Sequence, residues 1–104
     1  MLFLAFFSGG VLAQELRDLF WKVDGEIIKL TFKFSEGTSW VESSPDSYHI
    51  VVDIEGATNG LGYNQRPMGI GPLRNIMFIE KDDALRLWVE LREKVDYEIY
   101  DEVG

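Results

Sequence analysis
The sequence predicts an all-β domain, a small β-sandwich of about seven or eight short strands. Three observations predict it. Apolar residues alternate with polar ones over several short runs, turn-forming pairs separate those runs, and no stretch after residue 14 keeps a helical period over three turns. At 104 residues the chain is one domain, and 46% hydrophobic residues are enough for one core. A domain of this size buries roughly 60–65% of the surface its unfolded chain exposes.

The elements follow in order. Residues 1–13, MLFLAFFSGGVLA, carry no charge and end in Val11-Leu12-Ala13 before Gln14. Small or aliphatic residues behind a short apolar run predict a secretory signal peptide, with cleavage after Ala13 and the domain proper at 14–104, the alternative being an N-terminal strand or a buried tail. The run is too short to cross a bilayer, which takes about twenty residues, so no transmembrane span is expected. Residues 16–23, LRDLFWKV, and 26–34, EIIKLTFKF, flank Asp24-Gly25. The second run sets Ile28, Leu30, Phe32 and Phe34 on one face, so a hairpin with a tight turn is expected. TSWVES (38–43) forms a third strand, Pro45-Asp46 a turn and SYHIVVDI (47–54) a fourth. LRNIMFIE (73–80), ALRLWVEL (84–91) and DYEIY (96–100) complete the set. Residues 81–95 admit a helix through Leu85, Trp88, Val89 and Arg92. The strict alternation of Leu85, Leu87, Val89 and Leu91 after the Asp82-Asp83 turn favours a strand.

Between the fourth and fifth runs lies IEGATNGLGYNQRPMGIGPLRNI (54–76), rich in glycine and holding Pro67 and Pro72. A phosphate-cradling loop would need a strand before the glycines and a helix after them, and Pro72 and a β-patterned run follow instead. The stretch is expected to be a crossover between sheets, its glycines serving corners and close backbone approach.

The apolar IVVDIEGA (50–57), this crossover, GPLRNI (71–76), LRLWVEL (85–91) and YEI (97–99) together resemble the AMIN domain. The resemblance covers nearly everything after residue 15. Where the family often carries an arginine, this chain has Met77. AMIN domains precede the catalytic part of some N-acetylmuramoyl-L-alanine amidases and the pore of type IV pilus secretins. The resemblance implies a non-catalytic β-sandwich that targets its host to peptidoglycan in the periplasm or cell envelope.

Composition narrows the chemistry. A net charge of −8 disfavours nucleic acid and anionic lipid, and the absence of cysteine removes disulfides and thiol chemistry. His49 is the lone histidine. Ser47 and Asp53 are its neighbours in sequence, but Asp53 lies about 13 Å along the strand, too far for a triad. One histidine without cysteine does not make a zinc site. Glu80, Asp82 and Asp83 read as a solvated acidic turn, with weak calcium binding as the alternative. No catalytic residue, metal site or cofactor is expected, and the chain is not expected to be an enzyme.

The binding candidates are Arg86, Trp88 and Glu90, which share the face opposite Leu85, Leu87, Val89 and Leu91. A tryptophan ring covers the apolar face of a sugar, and an arginine fork holds a carboxylate. Peptidoglycan offers both groups. Arg74 and Asn75 supply polar contacts from a neighbouring strand, and Trp40 and Tyr100 are further aromatics expected to face outward. The alternative packs Trp88 beneath the crossover and pairs Arg86 with an acid. A second function is docking to secretin or pilus-assembly proteins through an exposed strand edge.

Overall fold
The alternating runs form strands that bury one side chain in two. A computed structural model describes residues 1–8, 14–35, 40–81 and 83–103. Over these the strands are β1 (Leu2–Ser8), β2 (Gln14–Asp24), β3 (Ile27–Phe34), β4 (Trp40–Asp46), β5 (His49–Glu55), β6 (Ala57–Asn59), β7 (Gln65–Ile70), β8 (Leu73–Glu80), β9 (Ala84–Leu91) and β10 (Tyr97–Val103). They make two five-stranded sheets, ordered β10-β1-β3-β2-β6 and β4-β5-β9-β8-β7. The fold is the expected all-β sandwich. Strand β9 settles residues 84–91 as extended.

The three strands that the alternating runs do not foretell are β1, β6 and β7. Strand β1 is an interior strand of the first sheet, second in its order, parallel to β10 on one side and to β3 on the other. Its Leu2, Leu4 and Phe6 have no exposed surface. In this structure β1 is therefore part of the packed sandwich, ahead of residue 14. The expected cleavage point, Ala13, is among residues 9–13, outside the described residues. The N-terminal ammonium donates to the Glu26 carbonyl, and the Met1 carbonyl accepts from Ile28 N–H.

Strands β6 and β7 lie inside the glycine-rich stretch, expected as a crossover from one sheet to the other. It reaches the other sheet but returns, so the strands it joins, β5 and β8, belong to the same sheet. The chain leaves β5 in one sheet, pairs β6 with the start of β2 in the other, and returns as β7 beside β8. Gly56 has φ +68° at the first of these corners, a conformation other residues rarely adopt. Gly60 donates its N–H to the Leu16 carbonyl, and a Cβ there would sit 2.8 Å from that same oxygen. Only glycine fits.

Between the sheets Phe6, Phe32, Phe34, Leu30, Ile54, Ile76, Phe78, Leu85 and Leu87 form the core. Trp40, expected outward, instead turns inward against Phe6 at 5.5 Å between ring centres, because β4 needs an apolar residue opposite Ile54. Tyr100 lies on the outer side of the first sheet with Phe3 and Lys29. The radius of gyration of 12.8 Å agrees with the roughly 13 Å of a folded chain this long. No helix among the described residues is long and apolar enough to cross a membrane.

Candidate functional site
Strand β9 is central in its sheet, so its inward residues meet the core and its outward residues meet their neighbours on β5 and β8. Register then defines three rows across the open face. The first runs Val41, Asp53, Arg86, Ile79, the second Ser43, Val51, Trp88, Met77, Gln65, and the third Asp46, His49, Glu90, Asn75, Pro67. Four of the five predicted binding residues thus share one surface. Arg74, the fifth, is exposed in the β8 irregularity between Leu73 and Asn75.

In the first row Arg86 grips Asp53 with both arms of its fork, Nε to Oδ1 at 2.8 Å and Nη2 to Oδ2 at 3.0 Å. The arginine is paired with an acid, as the alternative had it. These bonds hold the Asp53 carboxyl below its ordinary range, against an opposing push from partial burial. A lowered carboxylate pKa stabilises the fold above the ordinary value of 3.8 and ceases to do so as pH falls through the lowered value. Replacing Asp53 by Asn is therefore expected to cost about 1 kcal/mol at neutral pH. Urea titrations at pH 7 and near pH 2 check this, because the difference between wild type and variant should shrink toward zero in acid.

The middle row holds the platform. Trp88 lies on the open face and not beneath the crossover. Val51 points outward beside it yet is only 2% exposed. His49 approaches the indole at 4.9 Å between ring centres, tilted by 49°. A hollow of about 270 Å³ opens here, lined by Ser43, Ser44, Pro45, Val51, Arg86 and Trp88. It offers one aromatic ring, one paired guanidinium and the Ser43 hydroxyl, the Ser44 hydroxyl being bonded to Tyr97.

The third row is polar. His49 does not reach Asp53. Its Nδ1 instead meets the Asp46 carboxylate at 2.8 Å across the β4–β5 turn. Asp46 also accepts the Tyr48 N–H at 2.7 Å, and that bond, then His49, holds its carboxyl below the ordinary range. Glu90 stands directly opposite both His49 and Asn75. The Asn75 side-chain oxygen is buried and has no hydrogen-bond partner among the described residues. A second hollow of about 400 Å³ adjoins the row, where Ser44, Asp46, Ser47 and His49 face Lys94 and Tyr97. Tyr97 joins the sheets there, its hydroxyl bonded to Glu42 at 2.5 Å and to Ser44 at 2.6 Å.

Sequence reasoning missed Asp53, His49, Asp46 and the two serines as members of this face. The signal for the first two was present, since His49, Val51 and Asp53 alternate with the apolar Ile50, Val52 and Ile54. Of the acidic turn, Asp82 lies outside the described residues, and Glu80 accepts the Asn59 N–H at 2.8 Å. Comparison of the chain with protein-family models, with curated proteins and with solved structures finds no match, so the geometry of this face and the residues on it carry the functional reading.

Proposed function
We propose that the domain is a non-catalytic module that binds peptidoglycan in the bacterial cell envelope and positions an amidase or a secretin. The observation that carries this reading is Trp88, seated on the open face beside a hydroxyl-lined hollow and flanked by Arg86, His49 and Glu90. An aromatic ring edged with donors and acceptors suits a sugar, whose flat side is apolar and whose rim is polar. The resemblance of IVVDIEGA, GPLRNI and LRLWVEL to the AMIN domain points to the same polymer. Arg86 is committed to Asp53, so its part is to brace the platform and present its remaining N–H groups. The ring supplies most of the contact. Repetition of the glycan lets a weak single site hold a lattice through high effective concentration.

Pull-down on purified peptidoglycan sacculi tests the reading. Wild type is expected in the pellet, and Trp88→Ala should lower retention about tenfold or more, the loss typical of a central aromatic anchor. Arg86→Ala should cost less than Trp88→Ala. Wild type that stays in the supernatant removes the proposal. The second reading, docking to secretin or pilus-assembly proteins, is favoured by the β2 edge, which among the described residues has no strand beside it after Leu16, and it survives that outcome.

A further inference from the structure
Three of the sandwich's four lateral edges carry devices that prevent strand pairing. Strand β4 holds Pro45 where its register breaks, β7 holds Pro67 beside a bulge, and β10 carries the exposed Glu98. The fourth is different. Strand β6 pairs only with Gln14–Leu16 of β2, so among the described residues the rest of that eleven-residue strand has no neighbour beyond β3. Exposed on this stretch are Phe20 at 50%, Trp21 at 38% and Val23 at 50%. Arg66 reaches over from β7 to cover one face of Trp21, 4.9 Å from its ring centre, and leaves the backbone edge open.

We propose that this edge pairs with the same edge of a second copy, antiparallel about a two-fold axis at Phe20. Charge order argues for the occupant and for the register. Two copies related by a two-fold axis through the sheet can oppose only residues that face the same side. Asp18, Phe20, Lys22 and Asp24 face outward, opposite Lys33, Thr31, Lys29 and Ile27 of β3. Centred on Phe20, each Asp18 meets the other copy's Lys22 and the two phenylalanines meet each other. Centred on Trp21, Asp18 meets Asp24, and centred on Lys22, like ammonium groups meet. Among centres from Leu19 to Lys22, Phe20 alone joins opposite charges without joining like ones. A centre at Val23 joins Lys22 to Asp24 but overlaps little more than the end of the strand before the Gly25-Glu26 turn. Lys22 also stands opposite Lys29 within its own chain, an unfavourable neighbour that a carboxylate on its other side offsets. An unrelated extended chain would satisfy the backbone but has no reason to match this order.

Sedimentation of the full chain across micromolar to millimolar concentration tests the proposal. Wild type should move from 11.9 kDa toward twice that mass. Asp18→Lys and Lys22→Asp each turn two attractive pairs into repulsive ones, and each should raise the dissociation midpoint at least about tenfold. Mixed in equal amounts, these two variants should recover the dimer, because one copy then brings two ammonium groups to the shared edge and the other two carboxylates. The double exchange in one chain should recover it as well. Thermal melts confirm that each variant is folded. A wild type that stays monomeric throughout overturns the proposal, even if it captures some other peptide on this edge. So does a dimer whose midpoint ignores both charge changes.

Discussion

Deleting residues 1–13 is expected to abolish cooperative unfolding. Strand β1 is held on both sides, pairing along Leu2–Ser8 with β10 and with β3. Its Leu2, Leu4 and Phe6 are fully buried, and burying such side chains contributes about 1.5–3 kcal/mol each. Together they supply roughly 5–9 kcal/mol, comparable with the 5–15 kcal/mol that holds a typical domain folded. Because β1 is parallel to both neighbours, β10 and β3 are parallel to each other, and the gap it leaves is one strand wide. Closing that gap would move β10 by about 4.8 Å and draw Tyr97 away from Glu42 and Ser44 on the opposite sheet. Far-UV circular dichroism and urea titration of residues 14–104 beside the full chain check the expectation. A truncated chain that unfolds cooperatively at the wild-type midpoint would show that the sandwich closes without β1, and would leave 1–13 to the leader role.

The difficulty with β1 has a physical origin. A strand reveals itself by a polar face, and this one has none, because Leu2, Leu4 and Phe6 meet the core while Ala5 on the other side is equally buried. A short uncharged run of that kind reads the same as a leader segment. Strands β3 and β9 have one face at the core and one outside, so their alternation was legible residue by residue. The hairpin at Asp24-Gly25 formed with its turn at Gly25-Glu26. Strand β7 was masked by Pro67 and Gly69, although Arg66, Met68 and Ile70 alternate within it. The site divides along the same line. That Arg86, Trp88 and Glu90 share a face follows from the period of one strand. That Asp53 takes the fork of Arg86, and that His49 lies against Trp88, depends on register between strands, which no single strand's period encodes.

The second large effect is expected at Phe32, the side chain that joins the two layers. It is fully buried on β3, opposite Phe6 on β1 and Leu19 on β2, with ring centres 5.6 Å from Phe6 and 6.5 Å from Phe78 of the other sheet. Phe78 in turn pairs with Leu87, the residue before Trp88. Phe32→Ala removes the ring from both sheets at once, and the strands around it are too firmly paired to close the void. The expected loss is about 3–5 kcal/mol. With a urea slope of roughly 1–3 kcal/mol per molar, the unfolding midpoint should fall by at least about 1 M. Phe20→Ala, on the outer side of its sheet and half exposed, should change stability by no more than about 0.5 kcal/mol. Equal shifts for the two phenylalanines would contradict the packing of the layers. Because Trp88 points away from the void, Phe32→Ala should keep its hold on sacculi at temperatures where it remains folded. Stability then rests on the space between the two sheets and binding on the outer face of the second, so the two are separable.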